Sequence, residues 1–232
     1  PDFGSTGSRS TYCGGIVAKR ACEDVKKKLY HLAHEKYGVP EDDLEFKGGC
    51  VVRISNPEEK YMLFPHLMGK VDSVTGCGHV HNSTIFHLQF VEVEVDLEMG
   101  TFEIVDHFGG SDAGVIVNPL PVRNQMQSFF AGIDIACMEE TVWDPNDYRV
   151  LNPSNIDYKT RTFNDAVPLV LESMKNVDND YPFGAVGVGE PLLAPGGPAI
   201  RMAIYNACGI KLNSYPYSPA KILKALKEKE AN

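Results

Sequence analysis

Apolar residues recur at Val17, Ala21, Val25, Leu29 and Leu32, at spacings of four, four, four and three. On a helix those spacings draw one stripe, and Lys and Glu fill the other faces. The pattern predicts an amphipathic helix from about Gly15 to Lys36, which Gly38 and Pro40 end. Loops and short strands follow to about residue 85, with Glu45 to Val52 reading as a small hairpin. From His87 the period becomes two. Val91, Val93 and Val95 alternate with Glu92, Glu94 and Asp96, which predicts a strand with one buried face. Leu97-Glu98-Met99-Gly100 turns the chain, and Thr101 to Phe108 returns as its partner strand.

Asn118-Pro119 reads as a break, followed by a second long helix over Val122 to Glu140 that small residues interrupt. Residues 141–165, rich in Asn, Asp and Pro, predict turns and a strand pair, and residues 166–175 an extended segment. Gly197-Pro198 leads into a helix through Ala199, Met202, Ala203 and Ala207 that Gly209 stops. A final helix has Ser218 as N-cap, Pro219 in its first turn, and Ile222, Leu223 and Leu226 as its apolar face. Helices and antiparallel strands are mixed without βαβ alternation, so the predicted class is α+β.

Composition narrows the function classes. A net charge of −9 argues against a nucleic-acid backbone as partner. The Lys-rich patches at Lys26 to Lys28 and Lys221 to Lys229 read as solvated helix faces. No apolar run approaches the roughly 18–20 residues of a membrane span. Six cysteines (Cys13, Cys22, Cys50, Cys77, Cys137, Cys208) show no local zinc or iron–sulfur spacing. With no secretory signal in view, reduced thiols in the cytoplasm are the expectation. His79-Val80-His81 fits a loop or strand end better than a metal pair. The chain starts at Pro1, and we expect a processed or excised piece of a longer polypeptide.

The segment Pro182-Phe183-Gly184-Ala185-Val186-Gly187-Val188-Gly189-Glu190-Pro191 sets one carboxylate at the end of a run with almost no side chains. Glycines there permit close backbone approach or positive φ. An acid in that apolar setting is expected to be shielded from water, with its pKa raised toward the range of a general base. The same residues also read as a glycine-rich surface loop whose Glu faces water.

Three segments in chain order carry a resemblance. They are Gly7-Ser8-Arg9-Ser10-Thr11 before a helix, Asn118-Pro119 with Gln125, and Gly187-Val188-Gly189-Glu190 followed by Pro198, Ala199 and Ile200. Together with the Val-Glu-Val-Glu-Val-Asp strand, they resemble the xanthine dehydrogenase/aldehyde oxidoreductase family of molybdenum hydroxylases. The likeness runs over nearly the whole chain and over the C-terminal third of the family's molybdenum subunit. It implies an α+β, C-terminal molybdopterin-binding domain spanning residues 1–232, divisible at about 1–115 and 116–232.

The resemblance implies molybdopterin with molybdenum, often as the cytosine dinucleotide, held by hydrogen bonds with no protein ligand to the metal. It places Gly7, Ser8, Arg9, Ser10, Thr11, Gln125, Gly187, Val188 and Gly189 at the cofactor and makes Glu190 the catalytic base. Hydroxyl, guanidinium and backbone N–H groups near a helix N-terminus suit an anion, and a carboxamide reads heterocycle edges. Val186 stands where members often carry Lys. The implied activity is hydroxylation of an N-heteroaromatic, purine or aldehyde-type carbon. The remaining part of the molybdenum subunit, a 2Fe–2S subunit and an FAD subunit are expected on partner chains. The rival readings are a non-catalytic assembly subunit and a small-molecule binding domain.

Overall fold

The computed structural model describes residues 4–58, 60–63, 75–77, 84–127, 129–167, 169–174 and 184–231. The His79-Val80-His81 pair and Pro182-Phe183 lie outside them. Two compact units emerge: Arg9–Ser83, and Pro1–Ser8 together with Thr84–Asn232.

In the smaller unit, a π-helical turn (Ser10–Gly14) runs straight into α1 (Gly15–Tyr37). Leu29 and Ala33 of α1 are buried with Val39, Leu44 and Val51, and Val25, Leu32 and Phe46 pack around them. The predicted stripe therefore packs through Val25, Leu29 and Leu32. β1 (Leu44–Lys47) and β2 (Cys50–Arg53) form the expected hairpin, with Phe46 opposite Val51, and β3 (Lys60–Leu63) adds a third antiparallel strand. Its turn needs both Gly48 (φ 59°) and Gly49 (φ 78°) in the left-handed region, which only glycine enters at little cost.

The larger unit is built on β4 (His87–Val95), β5 (Phe102–Asp112) and β6 (Leu169–Met174), in the order β4-β5-β6. β4 and β5 are antiparallel, as expected. β6 joins β5 in parallel, so the sheet is mixed rather than antiparallel. Parallel pairing needs a long crossover, and the segment between Asp112 and Leu169 supplies it. At the β4–β5 turn, the Asp96 carboxylate accepts the backbone N–H groups of Glu98 and Met99, each at 2.9 Å.

Asn118-Pro119 is a helix start. The Asn118 side-chain Oδ1 accepts Leu120 N–H at 3.2 Å, and Pro119 takes the first helical position, where no donor is needed. The predicted long helix is two helices, α2 (Pro119–Gln127) and α3 (Phe129–Cys137). Between residues 141 and 165, the expected strand pair reduces to one bridge, Trp143 with Val150, because turns dominate the rest. α4 (Gly196–Cys208) and α5 (Pro219–Glu230) complete the chain. Ser218 caps α5 through its backbone carbonyl, which accepts Lys221 and Ile222 N–H, and its side chain makes no cap bond.

Val91, Val93 and Val95 of β4, with Phe102 and Ile104 of β5, pack onto a core of Ile133, Leu192, Ile200, Ile204 and Ile222. Residue 115, the expected subdomain boundary, lies within this larger unit, where Val115 N–H bonds Gly184 carbonyl at 2.8 Å. The α+β class holds.

Ile204 is fully buried at the centre of that core. Ile204→Ala should lower stability by about 2–5 kcal/mol, from lost burial plus the cavity left behind. Urea unfolding monitored by circular dichroism checks it, and a change below about 1 kcal/mol would place Ile204 outside the core.

Candidate functional site

The glycine-rich segment is stitched to the end of β5. Ala185 bridges Gly114, and Val186 N–H reaches the Ala113 carbonyl at 3.4 Å. Past it, Glu190–Leu193 forms a single 3-10 turn. Leu192 is fully buried in the core, so that turn is anchored from beneath.

The amino-terminal residues of the same unit meet this segment. Glu190 N–H donates to Ser8 Oγ at 2.6 Å, across 182 residues of sequence. A methyl group at Gly187 would overlap the Ser8 carbonyl oxygen. One at Gly189 would lie 2.6 Å from Ser8 Oγ and 3.9 Å from Gln125 Nε2. These glycines are needed for close approach rather than for positive φ, since Gly189 has φ −76° and, of Gly184, Gly187 and Gly189, only Gly184 is left-handed. Ser8 itself carries the strain, with φ 54°. A non-glycine residue there costs about 1–2 kcal/mol.

Five of the predicted site residues are thus brought together: Ser8, Gln125, Gly187, Gly189 and Glu190. Gly7 (φ 62°) is exposed just before Ser8. Val188 packs its side chain against the core, which leaves only its backbone to the site. Arg9, Ser10 and Thr11 open the smaller unit, where the Arg9 carbonyl accepts Cys13 N–H at 2.8 Å in the π-helical turn.

Glu190 corrects one expectation. Its residue is exposed, as is Gln125, whereas Gly184, Ala185, Gly187 and Leu192 are buried. The apolar part of the segment turns inward to the core and sheet, so it cannot also shield the carboxylate.

Two residues that the sequence reading passed over hold the turn in place. Gln89 Nε2 donates to the Leu192 carbonyl at 3.2 Å, and Gln89 Oε1 lies 3.3 Å from His107 Nε2. The network assigns the amide orientation and the Nε2–H tautomer. His107 is 4% exposed, and burial, reinforced by the Arg161 charge, pushes its pKa down to about 4 despite Asp106. It is therefore a neutral donor at ordinary pH. Gln89 shares the inner face with Val91, Val93 and Val95, and that polar break in the apolar row was the available signal.

Beyond Gln89 the inner face ends in His87 opposite Ser111. Among the described residues, both ring nitrogens and the hydroxyl are buried without a hydrogen-bond partner. Burial lowers the His87 pKa, opposed by Asp112.

A cavity of about 470 Å³ lies elsewhere, between the β4–β5 turn and the end of α3, lined by Thr101, Glu103, Arg161 and Tyr217 among others. None of the predicted site residues lines it. Its Cys137 thiol is pushed up to about 11 by burial, which makes it a poor nucleophile at neutral pH. Among the described residues, no group of three His, Cys, Asp or Glu could hold a metal ion.

The pattern that defines the molybdopterin cofactor-binding domain matches residues 1–167. The chain is 26% identical over 234 residues to the xanthine dehydrogenase molybdenum-binding subunit of Escherichia coli O157:H7, covering 95% of this chain and 31% of that one. It is 28% identical over 242 residues to the 6-hydroxypseudooxynicotine dehydrogenase complex subunit gamma of Paenarthrobacter nicotinovorans, covering 96% and 30%. Quinoline 2-oxidoreductase from Pseudomonas putida 86 shares the fold, with a TM-score of 0.69 at 20% identity over 97% of this chain and 31% of that one. The chain therefore spans under a third of the length of these relatives.

Two outcomes follow from this geometry. Gly187→Ala should lower stability by about 1–3 kcal/mol as the Ser8 backbone is pushed away, read by urea unfolding. Wild-type stability there would disprove the close approach. Between pH 6.5, where an unfolded His titrates, and pH 4, where His107 does, only the unfolded chain binds the proton. Stability should fall as pH falls through that window. His107→Gln should flatten the fall, and an unchanged slope would remove His107 as its cause.

Proposed function

The chain belongs to the molybdopterin cofactor-binding domain family, and from that premise we propose that it is the part of a molybdenum hydroxylase or dehydrogenase that carries the catalytic base. The observation that carries the reading is the convergence of Ser8, Gln125, Gly189 and Glu190 around one glycine-lined turn.

Those residues fit the cofactor by their chemistry. Hydroxyl, carboxamide and close-lying backbone groups match the mixed donors and acceptors of a pterin edge. His87 and Ser111, toward the same end of the sheet, hold buried polar atoms with no partner among the described residues. Ser8, Gln125, Gly187, the backbone of Val188 and Gly189 would hold the pterin, with Gly7 beside them; a phosphate-contacting role for Arg9, Ser10 and Thr11 rests on their guanidinium and hydroxyl chemistry alone. When bound, molybdopterin supplies the two-electron oxidation and transfer of a water-derived oxygen.

What this chain adds is position and a proton acceptor. Ser8 fixes the first residue of the 3-10 turn, Leu192 pins the turn to the core, and neutral His107 holds it through Gln89. The Glu190 carboxylate would serve as the acceptor for the proton of the water-derived oxygen. Its exposure leaves the water-excluding wall to polypeptide outside this chain. An N-heteroaromatic, purine or aldehyde-type substrate, the cytosine dinucleotide form, 2Fe–2S and FAD partner chains and a cytoplasmic setting complete the proposal. No helix of the described residues is long and apolar enough to cross a membrane.

Glu190→Gln in the assembled complex should keep molybdenum and pterin content while turnover falls by about 10²–10⁴-fold. Metal analysis beside steady-state rates checks it. Unchanged turnover would remove the base assignment. A wild-type complex without molybdenum would turn the reading toward an assembly subunit.

A further inference from the structure

The inner face of β4 and β5 is committed to the core, so alternate residues point the other way. They fall into two adjoining halves. Toward β6, Phe90 stands opposite Phe108, and Phe108 opposite Val170. The two rings lie 6.0 Å apart. This row is open: Phe86 is 63% exposed, Phe90 65%, Val170 55% and Met174 47%, with one exposed carboxylate, Glu172, between the last two. Leu88 spreads over Gly110, where a methyl group would come within 3.0 Å of it. Toward the β4–β5 turn, the same face carries Glu92 opposite Asp106 and Glu94 opposite Glu103, all exposed.

Neither half is an ordinary solvated sheet face. Clustered large apolar side chains on three adjacent strands mark an interaction surface rather than scattered surface residues. Like charges directly opposite one another across a ladder are destabilising. The three strands contain no Lys or Arg to relieve them.

We propose that this sheet face is a docking surface for polypeptide of the molybdenum-binding assembly that lies outside this chain, an apolar ridge flanked on one side by Lys or Arg. The inference rests on the functional reading above. More than two thirds of the length of the relatives lies outside the region matched here, so there is polypeptide to fill the face. The two acidic pairs, with no Lys or Arg on their own strands, select a basic edge in that occupant. A second copy of this chain fits poorly. Face-to-face two-fold packing sets either carboxylates on carboxylates or carboxylates on phenylalanines, according to the axis, and neither supplies a cation. An anionic lipid surface would be repelled by the same carboxylates.

Hydroxyl-radical footprinting of the native assembly tests the proposal. Corrected for intrinsic reactivity, Phe86, Phe90 and Met174 should be modified at least tenfold more slowly than their exposure in this chain sets. Carbodiimide cross-linking should join Glu92, Glu94, Glu103 or Asp106 to lysines outside residues 1–232. Modification at the exposed rate overturns the proposal, as do carboxylate links confined to a second copy, or protection that vanishes when lipid is removed. Molybdenum content of the same sample keeps the two readings apart. Metal present with the face reactive removes only the docking surface, whereas metal absent from the assembly removes the functional reading.

Discussion

The contact on which the candidate site depends is the one between Ser8 and the Gly187–Glu190 turn. It joins residues 182 apart in sequence and tolerates no side chain at Gly187. Closing so long a loop carries an entropic cost that one hydrogen bond, with a net value of about 0.5–1.5 kcal/mol, cannot offset alone. The left-handed backbone of Ser8 adds to that cost. Burial must therefore hold the turn independently, and Leu192 does so from within the core. The Ser8 bond then selects the turn's position rather than creating it.

This arrangement makes the site rigid beneath and open above. Leu192 and the Gln89–His107 pair fix the turn from the sheet side, so the Glu190 residue is left facing solvent. An apolar residue cannot anchor the core and shield a carboxylate two positions away at the same time. Under the proposed function, water exclusion falls to polypeptide outside this chain, which spans under a third of its relatives.

Elements with strong local periodicity were legible in the sequence. The stripe through Leu29 and the valine alternation of β4 each encode which face is buried, and the structure buries those faces. The site was legible only as motifs. Glycines at 187 and 189 announced a close approach, but what approaches is a backbone carbonyl from the amino-terminal segment, and no local pattern encodes a partner that distant. The helix after Asn118-Pro119 begins at Pro119 rather than at Val122, because the Asn118 side chain caps it through Leu120 N–H, a bond that the sequence alone does not show. The parallel pairing of β6 was hidden for a related reason, since strand direction depends on the path of the crossover and not on the strand's own residues.

The shifted pKa of His107 belongs to the same logic. A buried imidazole that donates one hydrogen bond is useful to the turn only while it is uncharged, and burial, which pushes its pKa to about 4, guarantees that state. Were it protonated near neutrality, the charge would have to be solvated at the inner face of the sheet, and β4 and β5 would have to part to admit water. Gln89 would then lose its fixed orientation, and the Leu192 carbonyl its donor. The geometry of Glu190 is in this sense set by a histidine that never titrates in the working range, placed on the inner face among valines by the same alternation that built the strand.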